Sequence, residues 1–390
     1  MSKSFLIVGA GISGLATAAA LQRRGHHVRV LEERTDTSAG AGISIWPNAL
    51  AALDEIGLGD AVRAAGGHVT AGSLRWRDGR WLRRPNADRM TRALGEPLVV
   101  LRRSELMAVL AGALDPGTVE NGVAAKQISM DATGIEVECS DGQTRAASAL
   151  VGADGTRSVV ARWLNGPLRS RYAGYTTWLA IANIGIDPEL AGETVGPGAE
   201  VGHVPLGPDS TYWFSTERVA EGQQNAGGEL DYVLAQFSSW PDPIPALMKA
   251  TNPGDVIRTD LYDRQPARHW ARGNAVIVGD AAHPMRPHLG QGGCQGLEDA
   301  AVLAHLIGDG SDLVGAFARF SDIRKRRVRP IVSESKRIGQ LVNLRPDWLG
   351  AAAAHASAWV PESVLTRHLA TIASRDAFRA SARRASATRV

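Results

Sequence analysis

The feature that most constrains the fold is a glycine-rich turn between two apolar strands near the first residue. Strand, glycine turn, helix and strand follow one another at residues 5–8, 9–14, 15–23 and 28–31. Gly9 suits the tight turn, Gly11 lets the backbone approach a pyrophosphate, and Gly14 lets the helix pack on the strand. Glu32 follows about 20 residues later, where a carboxylate accepts hydrogen bonds from an adenosine ribose. This order predicts a dinucleotide-binding βαβ unit, and the alternative is a chance glycine turn.

A second glycine-rich stretch, at residues 273–300, repeats the order of strand, loop and helix. Residues 275–278 form a short apolar run before Asp280, and residues 297–306 predict an Ala-rich helix. The loop between them holds two rigid residues, Pro284 and Pro287, and three flexible ones, Gly290, Gly292 and Gly293. Such a loop lets a flat ligand approach the backbone beside the positive end of a helix dipole. It therefore favours a site for an anion or a ring edge, and a crossover without any ligand is the alternative.

The composition is that of an ordinary globular protein of about two domains. The net charge of +3 over 390 residues is too weak to indicate a nucleic-acid partner. Cys139 and Cys294 are the only cysteines, so neither a disulfide framework nor a four-ligand zinc site is expected. A strand starts within five residues of Met1, and no apolar run reaches the roughly 18 residues of a membrane span. A cytoplasmic protein without a membrane partner is expected.

The middle of the chain alternates apolar and polar residues, as strands with one buried face do. Residues 73–81 predict a hairpin, residues 124–139 and 144–150 a small meander, and residues 172–262 an antiparallel sheet. A long basic helix is predicted over residues 313–344. A cluster of arginines near the last residue predicts a solvated tail: Arg375, Arg379, Arg383, Arg384 and Arg389.

Three motifs in this order resemble the single-component flavoprotein monooxygenases of the para-hydroxybenzoate hydroxylase family. They are GAGISG at residues 9–14, GADGTRS at 152–158 and GDAAHPMRPHLGQGG at 279–293. The resemblance implies an FAD enzyme that NADH or NADPH reduces and that adds O2 to form a C4a-hydroperoxyflavin. One oxygen atom would then pass to an aromatic or related electron-rich small molecule. The single nucleotide fingerprint suits this family, in which the nicotinamide binds transiently, better than it suits disulfide reductases.

The strand pattern and the resemblance together predict an α/β fold. It consists of a Rossmann-like FAD-binding domain, an interleaved antiparallel-sheet substrate domain and C-terminal helices. The FAD-binding domain is expected over residues 1–70, 100–165 and 265–330. The substrate-binding sheet is expected over residues 71–99 and 166–264, and the C-terminal helical segment over residues 331–390. A monomer or a homodimer is expected.

The resemblance also implies roles for individual residues. The ADP half of FAD would be held by the residues of the first motif and its acid, Gly9, Gly11, Gly14 and Glu32. Arg103 would reach the phosphate region, and Asp154 matches an aspartate implicated in FAD and nicotinamide binding. Asp280 matches the acid that binds the ribityl chain. The backbone from Gly290 to Gly293 would lie along the flavin ring, where N–H groups stabilise negative charge on the reduced ring.

Within the family the chain looks most like the branch of bacterial urate hydroxylase and salicylate-type hydroxylases, with departures. Glu200 stands where the urate enzyme has an arginine for its substrate, so urate is not the expected substrate. Leu179 replaces another frequent arginine. Arg286 occupies a position that is more often small and polar, and it would meet either a substrate carboxylate or phenolate, or only solvent.

Hydroxylation of a phenol is helped by removal of its proton, so a histidine or tyrosine over the flavin is expected. His203 and Tyr212 are candidates because both lie in the predicted substrate sheet, and a core histidine and a sheet tyrosine are the alternatives. His288 of the flavin loop either faces the substrate or only packs. These three residues and Arg286 are the predicted catalytic set.

Other functions fit the same motifs. A flavin epoxidase or Baeyer–Villiger-type enzyme would share the oxygen chemistry, whereas a flavin-dependent reductase on the same fold would use no oxygen. A binding protein that kept FAD without catalysis is a further alternative. Oxygen uptake and bleaching of the flavin separate these possibilities.

Overall fold

The computed structural model describes residues 2–35, 41–70, 72–131, 134–308 and 310–387. The described strands are, in chain order, β1 (Ser4–Val8), β2 (His27–Glu32), β3 (Gly42–Ile45), β4 (Gly67–Val69), β5 (Leu74–Trp76), β6 (Trp81–Arg83), β7 (Leu98–Arg102), β8 (Val119–Asn121), β9 (Ala125–Met130), β10 (Ile135–Cys139), β11 (Thr144–Ala147), β12 (Ala149–Gly152), β13 (Ser170–Ala182), β14 (Gly192–Gly196), β15 (Ala199–Gly207), β16 (Ser210–Glu217), β17 (Ile257–Arg264), β18 (Ala271–Arg272) and β19 (Ala275–Ile277). The described α-helices are α1 (Ile12–Gln22), α2 (Pro47–Glu55), α3 (Gly59–Ala65), α4 (Ala87–Leu94), α5 (Arg103–Gly112), α6 (Val159–Asn165), α7 (Glu229–Phe237), α8 (Ile244–Lys249), α9 (Gly292–Ile307), α10 (Leu313–Val342), α11 (Asp347–Ser357), α12 (Glu362–Ala373) and α13 (Arg375–Ala387).

A six-stranded sheet organises the nucleotide-binding part, with the strand order β18-β19-β12-β1-β2-β8. All its pairs are parallel except the edge pair of β18 and β19. The carboxyl ends of β1, β12 and β19 therefore meet at one edge of the sheet. Each of these three strands leads directly into one of the three sequence motifs, so the motifs converge on that edge. The predicted α/β fold is confirmed.

A seven-stranded sheet, ordered β17-β13-β16-β15-β14-β5-β6, forms the second layer of the molecule. One face is covered by α7 and α8, where Trp178 and Trp213 are fully buried against apolar residues of the two helices. On the other face, Val204 and Leu206 pack against Val69 and Val100 of the β3-β7-β4 sheet. This second face is therefore turned toward the nucleotide-binding part.

The antiparallel sheet predicted over residues 172–262 is present, but the stretch also contains α7 and α8, which the sequence analysis missed. The sequence of α7, ELDYVLAQF, includes valine, tyrosine and phenylalanine, which favour strands. Its buried residues Leu230, Val233 and Phe237 nevertheless recur at helical spacing. Burial against the sheet decides the helical state.

The smaller predicted elements agree with the structure. β9, β10 and β11 form the expected meander, and β5 pairs with β6 as the expected hairpin. The long basic helix is α10, which continues through Pro330. No helix in the described ranges is long and apolar enough to cross a membrane.

The prediction of a solvated arginine tail is wrong for Arg375, the first of the five arginines. Residues 375–387 form α13, which packs against α2, α9 and α10. The Arg375 guanidinium donates to Glu96 and to Asp54, and Arg63 binds the same two carboxylates. This cluster of four charged residues attaches α13 to α2, which carries Asp54, and to the loop before β7, which carries Glu96. Arg389 lies outside the described residues.

Candidate active site

The glycines of the first motif are required by the packing of the protein itself, with one exception. Gly9 has a φ of +100°, and a Cβ atom there would lie 2.5 Å from the carbonyl oxygen of Ala153. A Cβ on Gly14 would lie 1.9 Å from the carbonyl oxygen of Gly9. By contrast, no atom of the described residues lies within 4 Å of a Cβ on Gly11. The structure therefore leaves the backbone at Gly11 open on its cleft side.

A cleft of about 580 Å³ lies beside Gly11. Glu32 is buried in its wall, where one carboxylate oxygen accepts from the Ala10 N–H at 2.7 Å and the other from the Arg34 N–H at 3.0 Å. Each oxygen has a second lone pair that is free to accept from a ligand hydroxyl. Arg103 and Asp154 line the same cleft. The structure thus brings three of the residues predicted for the ADP half, Gly9, Gly11 and Glu32, into one cleft with Arg103 and Asp154.

Asp154 has one carboxylate oxygen engaged and one orphaned. Its Oδ2 accepts from the Val159 N–H at 2.6 Å at the start of α6. Its Oδ1 is buried and has no hydrogen-bond partner among the described residues. Burial raises the pKa of this carboxyl. Buried polar atoms are rarely left unpaired in a native protein, so Oδ1 is positioned for a donor that a ligand supplies.

Asp280 is exposed and lies three residues after the end of β19. The surrounding protein still removes much of its hydration, which raises the pKa of the carboxyl against the attraction of His283, Arg103 and Arg264. Desolvation lowers the pKa of Arg103, and the charge of Asp280 partly offsets that effect. Arg103 and Asp280 thus lie close enough for their opposite charges to interact.

Arg264, the last residue of β17, connects two of the motif loops, and the sequence analysis missed it. Its guanidinium donates to the carbonyl oxygens of Thr156 (3.3 Å), Asp280 (3.2 Å) and Ala281 (2.9 Å). Burial lowers its pKa to about 10, although the carboxylates of Asp280 and Asp154 favour the charged form. A strand of the second sheet therefore holds both loops in place. No local motif marks this arginine, because one of its partners, Thr156, lies 108 residues earlier in the chain.

The third motif ends at the first turn of α9, as expected, but the helix begins at Gly292 instead of near Leu297. Glycine disfavours a helix, which hid this first turn from the sequence pattern. Packing requires it, because a Cβ on Gly296 would lie 2.1 Å from the hydroxyl of Ser13 on α1. Pro287 opens a 3-10 turn that ends at Gly290, which has a φ of +59°. A Cβ on Gly292 would lie only 4.0 Å from Asp280 Oδ1, so the helix start adjoins the predicted ribityl-binding acid.

Behind this helix start lies a buried ion network, which the sequence analysis also missed. Arg324 of α10 is fully buried and donates to Asp299 at 2.6 Å and to Glu298 at 2.5 Å. Asp299 in turn accepts from the Gly279 N–H at 2.7 Å and lies 2.6 Å from His283 Nε2. The network thereby fixes the backbone next to Asp280 from inside the protein.

Two of the predicted catalytic residues lie on opposite faces of the second sheet. His203 pairs with Trp213 on the face covered by helices, where its Nδ1 donates to the Gly192 carbonyl at 3.1 Å and its Nε2 accepts from Arg75 at 3.2 Å. Burial, reinforced by the charge of Arg75, lowers the pKa of His203 to about 4. Tyr212 lies on the other face, and its ring is 2.4 Å from where a Cβ on Gly42 would stand. The structure therefore places Tyr212, but not His203, against the nucleotide-binding part.

His288 joins Tyr212 on that inner face, at the centre of a polar cluster. Its Nδ1 donates to Glu200 at 3.0 Å, and its Nε2 lies 2.7 Å from the hydroxyl of Tyr175. Burial alone would lower the pKa of His288, but the charge and hydrogen bond of Glu200 outweigh burial and raise it. Sequence reasoning named Glu200 only as a departure from the family and assigned no role to Tyr175.

Arg286, the fourth predicted catalytic residue, is held by protein partners. Its guanidinium donates twice to Asp263, at 2.9 and 2.8 Å, and lies 5.3 Å from the centre of the Tyr175 ring. Lys336 of α10 binds the same carboxylate at 3.0 Å. The Asp263 carboxylate is therefore shared by two cations, which leaves one net positive charge in this group of three residues.

The profile of an FAD binding domain family matches residues 3–212 and 249–310 of this chain. The match includes β1, β12 and β19 with all three motif loops, which are the parts that build the cleft and the helix start. The chain therefore belongs to the FAD-dependent monooxygenases, in the para-hydroxybenzoate hydroxylase family. FAD is its cofactor.

Individual relatives place the chain further within this class. It is 36% identical over 363 residues to aurachin C monooxygenase/isomerase from Stigmatella aurantiaca, covering 92% of this chain and 93% of that enzyme. It is 30% identical over 342 residues to the FAD-dependent urate hydroxylase of Klebsiella pneumoniae, covering 85% and 88%. The crystal structure of Klebsiella pneumoniae HpxO complexed with FAD and uric acid superimposes with a TM-score of 0.87 at 26% identity, covering 95% of this chain and 96% of that one. The chain thus lies in the branch of the family that is similar to urate hydroxylase.

Proposed function

We propose that this protein uses NADH or NADPH and O2 to hydroxylate an aromatic or related electron-rich small molecule. The observation that carries the proposal is the polar cluster of Tyr175, His288 and Glu200 on the inner face of the second sheet. His288 lies two residues before Gly290, where the predicted flavin loop turns into α9. An imidazole held between a phenol and a carboxylate is suited to move a proton next to that loop.

The residues of the cleft fit FAD. The open backbone at Gly11 and the free lone pairs of Glu32 suit a pyrophosphate and a ribose, and the orphaned Oδ1 of Asp154 offers an unused acceptor. Arg103 supplies a positive charge beside them, and Asp280 adjoins the start of α9 for the ribityl chain. When bound and reduced, FAD supplies the electrons that activate O2 for transfer of one oxygen atom.

The protein contributes positioning and electrostatics. The N–H groups at Gly292 and Gly293 begin a 16-residue helix, so its dipole favours negative charge at the edge of a reduced ring. Tyr212 lies opposite, against Gly42 of β3, and helps to close the space between the two sheets. Tyr212 is therefore proposed to contact the substrate side, and His288 to act on that side through its partners in the polar cluster. His203 and Arg286 are proposed to stabilise the surrounding protein through their hydrogen bonds, His203 with Gly192 and Arg75 and Arg286 with Asp263.

The test is anaerobic reduction of the purified flavoprotein by NADH and by NADPH, followed at the absorbance of oxidised flavin with and without a panel of phenols and aminobenzoates. We expect bleaching that one ring compound stimulates, followed by oxygen uptake and a product that is one oxygen atom heavier. Bleaching without oxygen uptake would favour a reductase. A product with a new epoxide or ester would favour the epoxidase or Baeyer–Villiger alternative. A flavin that neither nucleotide bleaches would refute the proposed self-sufficient monooxygenase.

A further inference from the structure

The inner face of the second sheet carries an acid that the preceding sections leave unassigned. Glu193 of β14 pairs with Gly202 of β15, and Gly202 pairs with Phe214 of β16. Directly opposed residues of antiparallel strands share a face, so Glu193 and Phe214 lie on the same side of the sheet. Val195, next on this face of β14, pairs with Glu200. Glu193 is therefore a neighbour of the polar cluster.

Glu193 is the accessible end of this group of polar side chains. Tyr175 is fully buried, and the side chains of His288 and Glu200 are 1% and 4% exposed. Glu193 is only partly buried, and its carboxyl makes no hydrogen bond to any described residue. A partly buried carboxyl that lacks a partner among the described residues is available to a ligand.

The surface beside Glu193 suits a flat ring. Gly202 has no side chain, and the ring of Phe214 reaches over it, 2.2 Å from where a Cβ would stand. Phe214 is itself in tilted contact with Tyr212, their ring centres being 6.2 Å apart. An aromatic wall with one free carboxyl at its end would stack a planar molecule and bind a donor on its rim.

We propose that Glu193 is the substrate-binding acid of this enzyme, accepting a hydrogen bond from an O–H or N–H group on the ring. The ligand class is a hydroxylated or amino-substituted ring that carries no carboxylate at that point, since a second anion would be repelled by Glu193 and Glu200. In the hydroxylation, the proton of a phenolic O–H passes to the Glu193 carboxylate. The ring oxygen takes over the negative charge and activates the ring. This assignment rests on the proposed hydroxylase function.

The surroundings of Glu193 prepare it for that proton. Burial, reinforced by repulsion from Glu200, raises its pKa to about 7, against the attraction of His288. The other charged or titratable groups near this face are Tyr212 on β16, Tyr175 on β13, Asp263 on β17, Lys336 on α10 and Arg286 of the flavin loop. Arg286 and Lys336 are both bound to Asp263. Glu193 therefore both holds and releases a proton close to neutral pH.

The experiment uses the FAD-loaded protein and two probes of nearly equal shape, 3-hydroxybenzamide and 3-hydroxybenzoate. Binding is read from the change in the flavin absorbance spectrum, which needs no turnover. We expect the wild type to bind the benzamide at least tenfold more tightly than the benzoate. Glu193→Leu should weaken benzamide binding by about tenfold to a hundredfold, as loss of a hydrogen bond to a charged group does. Glu193→Gln should remove the change in benzamide affinity between pH 6 and pH 8.

The matched control is Glu217→Gln on β16. Glu217 is also a partly buried glutamate of this sheet, but it pairs with Thr176 on the helix-covered face and accepts from the Tyr232 hydroxyl at 2.9 Å. The Glu217→Gln variant should bind the benzamide and the benzoate with the affinities of the wild type. The inference is overturned if Glu193→Leu keeps FAD and binds the benzamide within twofold of wild type. It is equally overturned if the wild type prefers the benzoate or binds neither probe.

The same samples separate this inference from the proposed function. Binding that depends on Glu193, in a protein whose flavin neither NADH nor NADPH bleaches, would refute the proposed reaction and retain Glu193 as the ligand-binding acid. Bleaching and oxygen uptake with binding that is indifferent to Glu193 would retain the reaction and overturn the assignment.

Discussion

Replacement of Arg324 by methionine tests whether the interior of the protein sets the geometry of the flavin loop. Arg324, Glu298 and Asp299 are all completely buried, and both carboxylates lie within 2.6 Å of the guanidinium. Glu298 retains Arg327 at 2.9 Å after the change, whereas in the described part of the chain Asp299 retains only His283 and the Gly279 N–H. Removing one partner of a buried ion pair typically costs about 3–5 kcal/mol, because it leaves an uncompensated buried charge.

We therefore expect Arg324→Met to lower the free energy of unfolding by about 3–5 kcal/mol in urea titrations with excess FAD. The exposed neighbour on the same helix, Arg329→Met, should change it by less than about 0.5 kcal/mol. FAD affinity should fall as well, because Asp299 binds the backbone of Gly279, which precedes Asp280. The double variant with Arg324→Met and Asp299→Asn no longer has the unpaired carboxylate charge of Asp299. It should recover part of the lost free energy of unfolding. If Arg324→Met were as stable as wild type, or the double variant showed strict additivity, the reasoning would be refuted.

Three further predictions concern the predicted site residues. Asp280→Ala should lose FAD, because the acid next to the start of α9 is gone, and a purified variant with full yellow colour would contradict the assignment. Tyr212→Phe should keep FAD but release more hydrogen peroxide per nucleotide oxidised, and unchanged coupling would remove Tyr212 from catalysis. His203 has a pKa of about 4 when folded. Its contribution to stability is therefore complete above the unfolded pKa of about 6.5 and falls by about 3 kcal/mol as the pH drops to 4. His203→Gln should flatten that pH dependence in urea unfolding, and an unchanged slope would contradict the burial argument.

The parts that could be predicted from sequence are those that depend on local order. The turn at Gly9 and the acid at Glu32 are fixed within one βαβ unit, so strand, glycine and helix patterns sufficed. The same holds for the loop that carries Asp280. The early start of α9 escaped because glycines in its first turn argue against a helix, while tight packing on Ser13 requires Gly296.

The parts that could not be predicted depend on contacts between distant segments. Arg324 contacts acids 25 and 26 residues away, and Arg264 contacts a carbonyl 108 residues away. Basic residues are common in the sequence, and only the folded chain shows which of them are buried. His288 was a candidate from its position in the flavin loop, but its partner Glu200 lies on a strand whose face the alternating pattern did not determine. The same uncertainty of face explains why His203 and Tyr212 looked equivalent.

The ion cluster of α13 has a consequence for the order in which the molecule assembles. Arg375 binds Asp54 across 321 positions of the chain and Glu96 across 279. Contacts of such long range form late in folding, because a large loop must close before they stabilise anything. During synthesis, Asp54 and Glu96 leave the ribosome hundreds of residues before Arg375. Until then, Arg63 is their one remaining ion-pair partner among the described residues. The segments that carry Asp54 and Glu96 can therefore gain the stabilisation that Arg375 contributes only after α13 has been made.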